Sequence, residues 1–343
     1  MKYSFKNDYS EGCHKSILES LLKNNETQEN GYGEDDFCDM ARVLINEKIN
    51  KNSDIHFVSG GTQANLIMIS SMLKPYESVI CANTGHINVH ETGAIEATGH
   101  KVCPIDTING KLTVSHVKKV LDSHSSEHMV SPKLVYISNS TELGTIYTKQ
   151  EMKDLYDFCR ENDLYMHIDG ARLGSALMSR DSDFTLEDVS NSCDMFYIGG
   201  TKNGALLGEA IVINNENLSK NFRFYIKQRG ALLAKGRLIG TQFVELFKNN
   251  VFEECGLHAN KMSYKLEEGL KDLGYKLLAK VQSNLIFIEV NKNELEKIQK
   301  DYNVSVEHKV DEENYCVRLV TSFMTKEEKV DEFLKDLQNI KNN

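Results

Sequence analysis

The stretch HIDGAR, residues 167–172, ends a short apolar run with an acid, a glycine and an arginine. A second stretch, FYIGGTKNG (196–204), ends another apolar run and carries Lys202 between glycines. Both runs have the length and composition of buried strands. We therefore expect Asp169 and Lys202 to lie at or just beyond the ends of two buried strands.

Around these two stretches, short apolar runs alternate with amphipathic stretches. Strands that alternate with helices predict an α/β domain with a mostly parallel sheet. In such a sheet, ligands bind at the carboxyl ends of the strands, where Asp169 and Lys202 are expected. The predicted strands are 54–58, 78–82, 101–105, 133–138, 164–169, 195–199 and 209–213, and the helices between them include 63–73, 114–123 and 149–162.

The carboxyl-terminal part of the chain predicts a smaller α+β domain. Its pattern indicates helices at 242–250 and 260–273, strands at 285–290 and 315–321, and a last helix at 326–340. We therefore divide the chain into an amino-terminal segment with a large domain, residues 1–245, and a small domain, residues 246–343.

Net charge, apolar runs and cysteine spacing argue against several classes of protein. The 343 residues carry a formal net charge of -10, which argues against a nucleic-acid binder. The sequence contains no apolar run of about 18 residues and no apolar signal-peptide core at its start. The eight cysteines are scattered without CxxC pairs, as expected for reduced thiols rather than a disulfide framework. These features predict a cytoplasmic protein.

A glycine-rich turn precedes the first long helix of the α/β region. In VSGGTQAN (58–65), a strand runs through Gly60, Gly61 and Thr62 directly into a helix. Glycines let the backbone approach a ligand, and the free N–H groups of a helix start bind anions. The stretch therefore fits a phosphate site, with Thr62 as a donor or as a helix cap. A tight turn with an ordinary cap is the alternative, since no nucleotide-binding glycine motif is present.

Asp169 and Lys202 add a carboxylate and an amine to this candidate phosphate site. A buried aspartate needs a cationic partner or hydrogen bonds, and Arg172 pairing with Asp169 would be a purely structural solution. Lys202 favours chemistry, because a lysine in a confined site can act as a nucleophilic amine. Pyridoxal 5'-phosphate (PLP) needs a lysine for its aldehyde, a carboxylate for its pyridinium nitrogen and an anion site for its phosphate. The set therefore predicts a PLP enzyme.

Three motifs carry a family resemblance in their order and spacing: GGTQAN (60–65), HIDGARLG (167–174) and GGTKNG (199–204). They resemble the threonine aldolase and aromatic amino acid β-eliminating lyase family of fold-type-I PLP enzymes, as do NDYSEGCH (7–14), GYGEDD (31–36) and TGHINVHETGA (84–94). The resemblance implies a large cofactor domain, a small carboxyl-terminal domain and an amino-acid substrate. It also implies a homodimer or homotetramer with active sites at subunit interfaces.

The resemblance also implies roles for individual residues. Lys202 would form the Schiff base with PLP, Asp169 would face the pyridinium nitrogen, and His86 would stack on the ring. Arg172 and Arg318 would bind the substrate carboxylate, which suits a guanidinium's paired donors. The remaining assignments are Gly61, Thr62 and Gln63 with Lys227 and Lys235 at the phosphate, and Asn7, Asp8 and Tyr32 at the edge of the site.

Two departures from the family pattern fall on reaction-specific residues. The loop that usually carries a histidine in threonine aldolases is NSTELG (139–144) here, with Glu142 in its place. A glutamate with a raised pKa can accept a hydroxyl proton, so Glu142 is a candidate base, and the alternative is a side chain that points to solvent. The family's SDT near the start is NDY, so Asn7 replaces a serine.

Several reactions remain open at this level. Aldol cleavage of a β-hydroxy amino acid such as L-threonine is the leading hypothesis, and β-elimination and transamination share the cofactor. A non-catalytic binding relative and a metallohydrolase are more distant alternatives. The metal alternative rests on His86 and His90, whose four-residue spacing suits a metal on a helix, but the HExxH order is absent. We predict no metal site.

Overall fold

A computed structural model describes residues 2–342 of the chain. The strands are β1 (Tyr3–Ser4), β2 (Asp54–Val58), β3 (Glu77–Ala82), β4 (Lys101–Ile105), β5 (Ser131–Ser138), β6 (Tyr165–Asp169), β7 (Met195–Gly199), β8 (Glu209–Ile213), β9 (Leu285–Asn291), β10 (Tyr302–Asn303), β11 (Ser305–Lys309) and β12 (Asn314–Val320).

The helices lie mostly between the strands. They are α1 (Lys15–Lys23), α2 (Asp36–Ile49), α3 (Gly61–Met72), α4 (His86–Val89), α5 (Val114–Ser123), α6 (Lys149–Glu161), α7 (Leu173–Leu177), α8 (Leu186–Ser190), α9 (Glu216–Ser219), α10 (Phe222–Gln228), α11 (Arg237–Lys248), α12 (Val251–Asp272), α13 (Lys292–Asp301) and α14 (Glu327–Asn342), with a 3-10 turn at Glu96–Thr98.

Seven strands form the central sheet, in the order β2-β8-β7-β6-β5-β3-β4. All seven strands predicted between 54 and 213 are present, so the predicted α/β organisation is confirmed. Only β8 runs antiparallel to its neighbours, β2 and β7. The amino end of β8 therefore meets the carboxyl ends of the other strands.

Both faces of the sheet are covered by helices, which explains why its central strands are continuous apolar runs. Successive residues of a strand point to opposite faces. Ile137 of β5 and Ile198 of β7 join one buried cluster, and Tyr136 and Tyr197 beside them join the cluster under α3 and α10.

The carboxyl-terminal part contains the antiparallel sheet β11-β12-β9 and a core of its own. The start of the chain joins this core, because β1 pairs with β10 and Phe5 is fully buried against Phe333. The division at 245 and 246 stays a prediction. Within residues 2–342, no helix has the length and apolar character needed to cross a membrane.

Two helices begin earlier than the sequence predicts, at Arg237 instead of 242 and at Val251 instead of 260. Each contains a glycine near its start, Gly240 or Gly256, which lowers helix propensity. Both glycines serve close packing. A Cβ on Gly240 would lie 2.7 Å from the backbone nitrogen of Cys38, and one on Gly256 would lie 2.3 Å from the carbonyl oxygen of Gly174.

Candidate active site

A cavity of about 270 Å³ opens at the carboxyl ends of the parallel strands. It collects side chains from the loops after β2, β3, β5, β6 and β7, together with the first residue of β8. Seven predicted site residues line it: Gly61, Thr62, His86, Glu142, Asp169, Arg172 and Lys202. The expectation that Asp169 and Lys202 meet at one edge of the sheet is therefore confirmed.

Lys202 lies in the turn after β7, where glycines permit close backbone approach. A Cβ on Gly199 would lie 2.5 Å from the carbonyl oxygen of Ala171, and one on Gly200 would lie 2.6 Å from that of Gly208. Burial and the nearby positive charge of Arg172 lower the pKa of the Lys202 amine. A lysine with a lowered pKa has a larger neutral, nucleophilic fraction at neutral pH.

Asp169, the last residue of β6, is held by four hydrogen-bond donors. The hydroxyls of Tyr197 and Tyr136 donate to its two oxygens at 2.5 and 2.6 Å, Asn65 Nδ2 donates at 3.0 Å and the Ala171 N–H at 3.0 Å. Burial raises the pKa of Asp169, but His86 and these donors outweigh burial and hold the pKa below its ordinary value. The group is a fixed, buried negative charge.

The anion-site candidate lies at the start of α3. Gly60 is its N-cap residue and makes no side-chain cap, so the expected alternative of a Thr62 cap is wrong. Space beside Gly60 is open, whereas a Cβ on Gly61 would lie 2.9 Å from the Tyr197 hydroxyl. Gln63 does not line the cavity, and its Oε1 accepts hydrogen bonds from the backbone N–H and the hydroxyl of Ser59, so its role at the phosphate stays a prediction.

His86 begins α4 and is oriented by a buried network that the sequence did not predict. Its Nδ1 lies 2.8 Å from Glu91 Oε1. Asn65 Nδ2 donates both to that oxygen, at 2.8 Å, and to Asp169. His167 Nε2 lies 2.9 Å from Asn65 Oδ1. The network therefore joins His86 to the buried carboxylate. Its other members also lie in the family motifs, Asn65 in GGTQAN, Glu91 in TGHINVHETGA and His167 in HIDGARLG.

Glu142 also lines this cavity. Its Oε1 accepts hydrogen bonds from the His86 N–H at 2.9 Å and from Ser138 Oγ at 2.7 Å. Burial raises the pKa of Glu142, and the negative charge of Asp169 adds to the increase. A carboxyl group with a raised pKa is suited to accepting and returning a proton near neutral pH.

Arg172 does not pair with Asp169, and the structural alternative considered for the two residues is wrong. Its partner is Asp8, whose carboxylate accepts from Arg172 Nε at 2.7 Å and Nη2 at 3.1 Å. Asn284 Nδ2 donates to the same carboxylate at 2.9 Å. Asp8 is 1% exposed, so the ion pair is buried and fixes the direction of the guanidinium.

Asp8→Asn is expected to destabilise the chain by about 3–5 kcal/mol, because it leaves the buried Arg172 charge without a counter-charge. Urea unfolding measures this change. The matched control is Asp39→Asn, whose exposed i,i+3 pair with Arg42 predicts a loss below about 1 kcal/mol. Equal losses in the two variants would contradict a structural role for the buried pair.

The other predicted residues lie outside this cavity in the described chain. Lys227 Nζ lies 4.8 Å from the centre of the Tyr32 ring. Arg318 Nε lies 3.3 Å from Glu307 Oε1. Asn7 accepts hydrogen bonds within its own turn, and Lys235 is exposed. Their roles stay predictions.

The two histidines considered for a metal site are close, with ring centroids 5.6 Å apart for His86 and His90. Nδ1 of His86 is already engaged by Glu91, and burial lowers the pKa of His90. Across residues 2–342, no group of three or more His, Cys, Asp and Glu side chains has an arrangement that would hold a metal ion.

Comparison with known proteins identifies the family. The family model for beta-eliminating lyase matches residues 13–293. The chain belongs to the beta-eliminating lyase family. Among relatives of this lyase, a low specificity L-threonine aldolase of Pseudomonas sp. (strain NCIMB 10558) is 30% identical over 298 residues, or 86% of each chain. The low specificity L-threonine aldolase of Escherichia coli O157:H7 is 28% identical over 76% of each chain.

Solved structures agree with the fold of the lyase. A threonine aldolase of Leishmania major matches with a TM-score of 0.97 and 47% identity, over 98% of this chain and 99% of that one. An aspartate aminotransferase of Thermus thermophilus matches with a TM-score of 0.72 at 15% identity, over 99% and 91% of the two chains. The second match shows the fold alone, and together they confirm the predicted fold-type-I architecture.

The lyase is a PLP-dependent enzyme, as its family is. The donor set of the cavity fits this cofactor, which needs an amine, a carboxylate and an anion site in one place. Lys202, Asp169 and the start of α3 supply these three groups around one cavity. The predicted alternative of a non-catalytic binding relative is therefore wrong.

Proposed function

We propose that this lyase cleaves β-hydroxy-α-amino acids, L-threonine and L-allo-threonine first among them, to glycine and an aldehyde. The observation that carries the proposal is the Glu142 carboxyl group, which lines the cavity with Lys202 and contacts the backbone of His86. Aldol cleavage needs a group that takes the β-hydroxyl proton, and Glu142 has the raised pKa for this task. The printed names of the relatives support the same substrate class.

The cofactor would be held by residues of the cavity. The Lys202 amine would hold its aldehyde carbon, the Asp169 carboxylate its pyridinium nitrogen, and the start of α3 at Gly60–Thr62 its phosphate. His86, at the cavity wall, would cover the ring. When bound, PLP supplies an electron sink for the substrate's Cα.

The protein's own groups then guide the cleavage. Arg172 binds the substrate carboxylate with the guanidinium edge that Asp8 leaves free. Glu142 accepts the proton of the β-hydroxyl while the Cα–Cβ bond breaks and the aldehyde carbonyl forms. The Lys202 amine in the same cavity would donate a proton to Cα to give glycine, and the proton that Glu142 takes from the β-hydroxyl would balance the one that Lys202 gives up. Asp169 remains ionised throughout, since its four donors stabilise the charged form.

The deciding experiment incubates the PLP-loaded protein with L-threonine and with L-allo-threonine and assays acetaldehyde and glycine together. Equal amounts of both products are expected. If neither product forms, the aldolase proposal fails. Detection of a 2-keto acid with ammonia would then indicate β-elimination, and detection of a 2-keto acid with an aminated cofactor would indicate transamination.

Glu142→Gln is expected to lower kcat for aldol cleavage by about 10²–10⁴-fold, the usual contribution of a positioned general base. Glutamine keeps an acceptor for His86 and Ser138 but cannot take a proton. The base works only when ionised, so the wild-type rate should rise with pH through the raised pKa of Glu142, and the variant should lack this rise. The pH–rate profile of kcat measures both.

The matched control is Glu245→Gln, a buried glutamate paired with Lys248 outside the cavity. It should lose stability but keep the wild-type pH–rate profile. A Glu142→Gln variant with normal kcat and a normal profile would make Glu142 a bystander.

We also propose that the chain forms a homodimer or homotetramer and that it acts in the cytoplasm. Each chain would have two domains, residues 1–245 and residues 246–343. Tyr32 and Lys227 support the oligomer, because the family resemblance assigns them to the active site and they lie outside the cavity of their own chain. A second copy that brings them to the cavity would reconcile the two facts. Light scattering on the purified chain tests the oligomer, since a monomer would contradict it.

A further inference from the structure

A buried glutamate in the cavity has no task in the proposed reaction. Glu209 is the first residue of β8 and is 4% exposed. It is paired in the sheet with Val58 on one side and Gly199 on the other. Val58 leads into the anion-site candidate, and Gly199 leads into Lys202. The Glu209 carboxyl group therefore lies between the two, and it lines the same cavity.

Its two oxygens have different partners. Oε2 accepts the N–H of Gly200 at 2.9 Å, and Oε1 lies 2.9 Å from the hydroxyl oxygen of Thr201. That hydroxyl oxygen also accepts the N–H of Gly208 at 3.0 Å. Thr201 itself lines the cavity beside Lys202.

The hydrogen bonds of Thr201 depend on whether Glu209 carries a proton. A threonine hydroxyl has one hydrogen to donate and two lone pairs to accept with. If Glu209 is ionised, it draws the Thr201 hydrogen to itself. If Glu209 is protonated on Oε1, its O–H and the Gly208 N–H fill both lone pairs, and the Thr201 hydrogen must point to another acceptor.

The surroundings favour the protonated form at neutral pH. Burial raises the pKa of Glu209 to about 8, against the opposing effects of Thr201 and of the Lys202 charge. The negative charge of Asp169 at the end of β6 contributes to this increase, and Val58 on β2 brings no charge. A phosphate dianion in the cavity would add to the increase, because like charges disfavour the ionised carboxylate.

We propose that Glu209 is a positioning residue for the cofactor phosphate: as a neutral carboxylic acid it turns the Thr201 hydroxyl into a donor toward that phosphate. The inference rests on the proposed phosphate position at the start of α3. An ionised Glu209 would withdraw this donor and place a second negative charge beside the phosphate. The affinity for the phosphate should therefore fall as Glu209 ionises.

The test is equilibrium dialysis of the full-length chain with PLP and, separately, with pyridoxal, which lacks the phosphate. The ratio of the two affinities isolates the phosphate contribution, since effects of Lys202 protonation act on both ligands. From about pH 7 to about pH 9 the phosphate itself stays dianionic, because its second pKa is about 6. The wild-type ratio is expected to fall by up to about tenfold over this range, because the neutral fraction of Glu209 falls about tenfold across a pKa of about 8 and the hydrogen bond to the charged phosphate is lost with it.

Three variants test whether Glu209 controls the phosphate affinity through Thr201. Glu209→Gln keeps a neutral donor to Thr201 at every pH, so its affinity ratio should stay at the wild-type value for about pH 7. Thr201→Val should give a low ratio already at about pH 7 and a smaller fall with pH than the wild type, because only the repulsion between an ionised Glu209 and the phosphate remains. Thr201→Ser should restore the wild-type behaviour. A flat wild-type ratio would overturn the proposal, and so would a Glu209→Gln ratio that falls with pH or is low throughout. These readouts do not involve substrate, so they are independent of whether threonine is cleaved.

Discussion

Lys202→Ala leaves a folded chain that loses at least about 10³-fold in kcat/KM, the scale seen when a covalent catalytic group is removed. The amine is buried in the cavity, and its pKa is lowered by burial and by Arg172. Its removal would take away the amine proposed to bind the cofactor aldehyde and to donate the proton to Cα. The fold survives, since burying an amine costs free energy that alanine does not require.

Steady-state kinetics measures this loss, and thermal unfolding checks the fold. Borohydride reduction followed by peptide mass spectrometry should find the cofactor on the Lys202 peptide of the wild type and on no peptide of the variant. The matched control is Lys111→Ala, which removes a largely buried lysine paired with Glu151 outside the cavity. It should keep the wild-type kcat/KM. Undiminished turnover by Lys202→Ala would end the assignment of Lys202.

Asp169→Asn is expected to lower kcat by about 10²–10³-fold, the usual cost of removing a preorganised charge from an active site. Asparagine keeps the shape but loses the negative charge that the hydroxyls of Tyr136 and Tyr197 and the amide of Asn65 surround. In the proposed arrangement, the Asp169 charge would stabilise a proton on the pyridinium nitrogen of PLP, and asparagine would not. Steady-state kinetics at saturating PLP measures the effect.

The control for this variant is Asp194→Asn, a fully buried aspartate that accepts the Met166 N–H away from the cavity. It should lower stability without changing kcat. Equal kcat values for the two variants would remove the electronic role of Asp169.

The central sheet was predictable because its strands are covered on both faces. Such strands are short apolar runs with clear ends, as MFYIG in β7 shows, and all five of its residues are buried. The residues just beyond the strand ends then follow from the rule that loops at the carboxyl edge converge. Asp169, Lys202 and the start of α3 were found in this way.

The supporting residues were not predictable from local sequence. Arg172 and Asp8 form an ion pair across 164 positions of the chain, and no pattern in the local sequence indicates this contact. Glu209 follows a glycine at the start of a strand, where an acid is usually solvated. Only the pairing of β8 between β2 and β7 buries it beside Lys202. The hydrogen bonds of Glu91 and Asn65 likewise depend on the contact between α3 and the segment around His86, which local sequence does not reveal.

The attachment of the first residues to the carboxyl-terminal core sets an order of events during synthesis. β1 pairs with β10 at Tyr302 and Asn303, so synthesis must reach these residues before β1 has a partner. Until then Phe5 has no core to enter, and Asp8 is not held beside Arg172. The large sheet can assemble on the nascent chain, but the side of the cavity next to Asp8 and Arg172 is completed only after the carboxyl-terminal core has been synthesised.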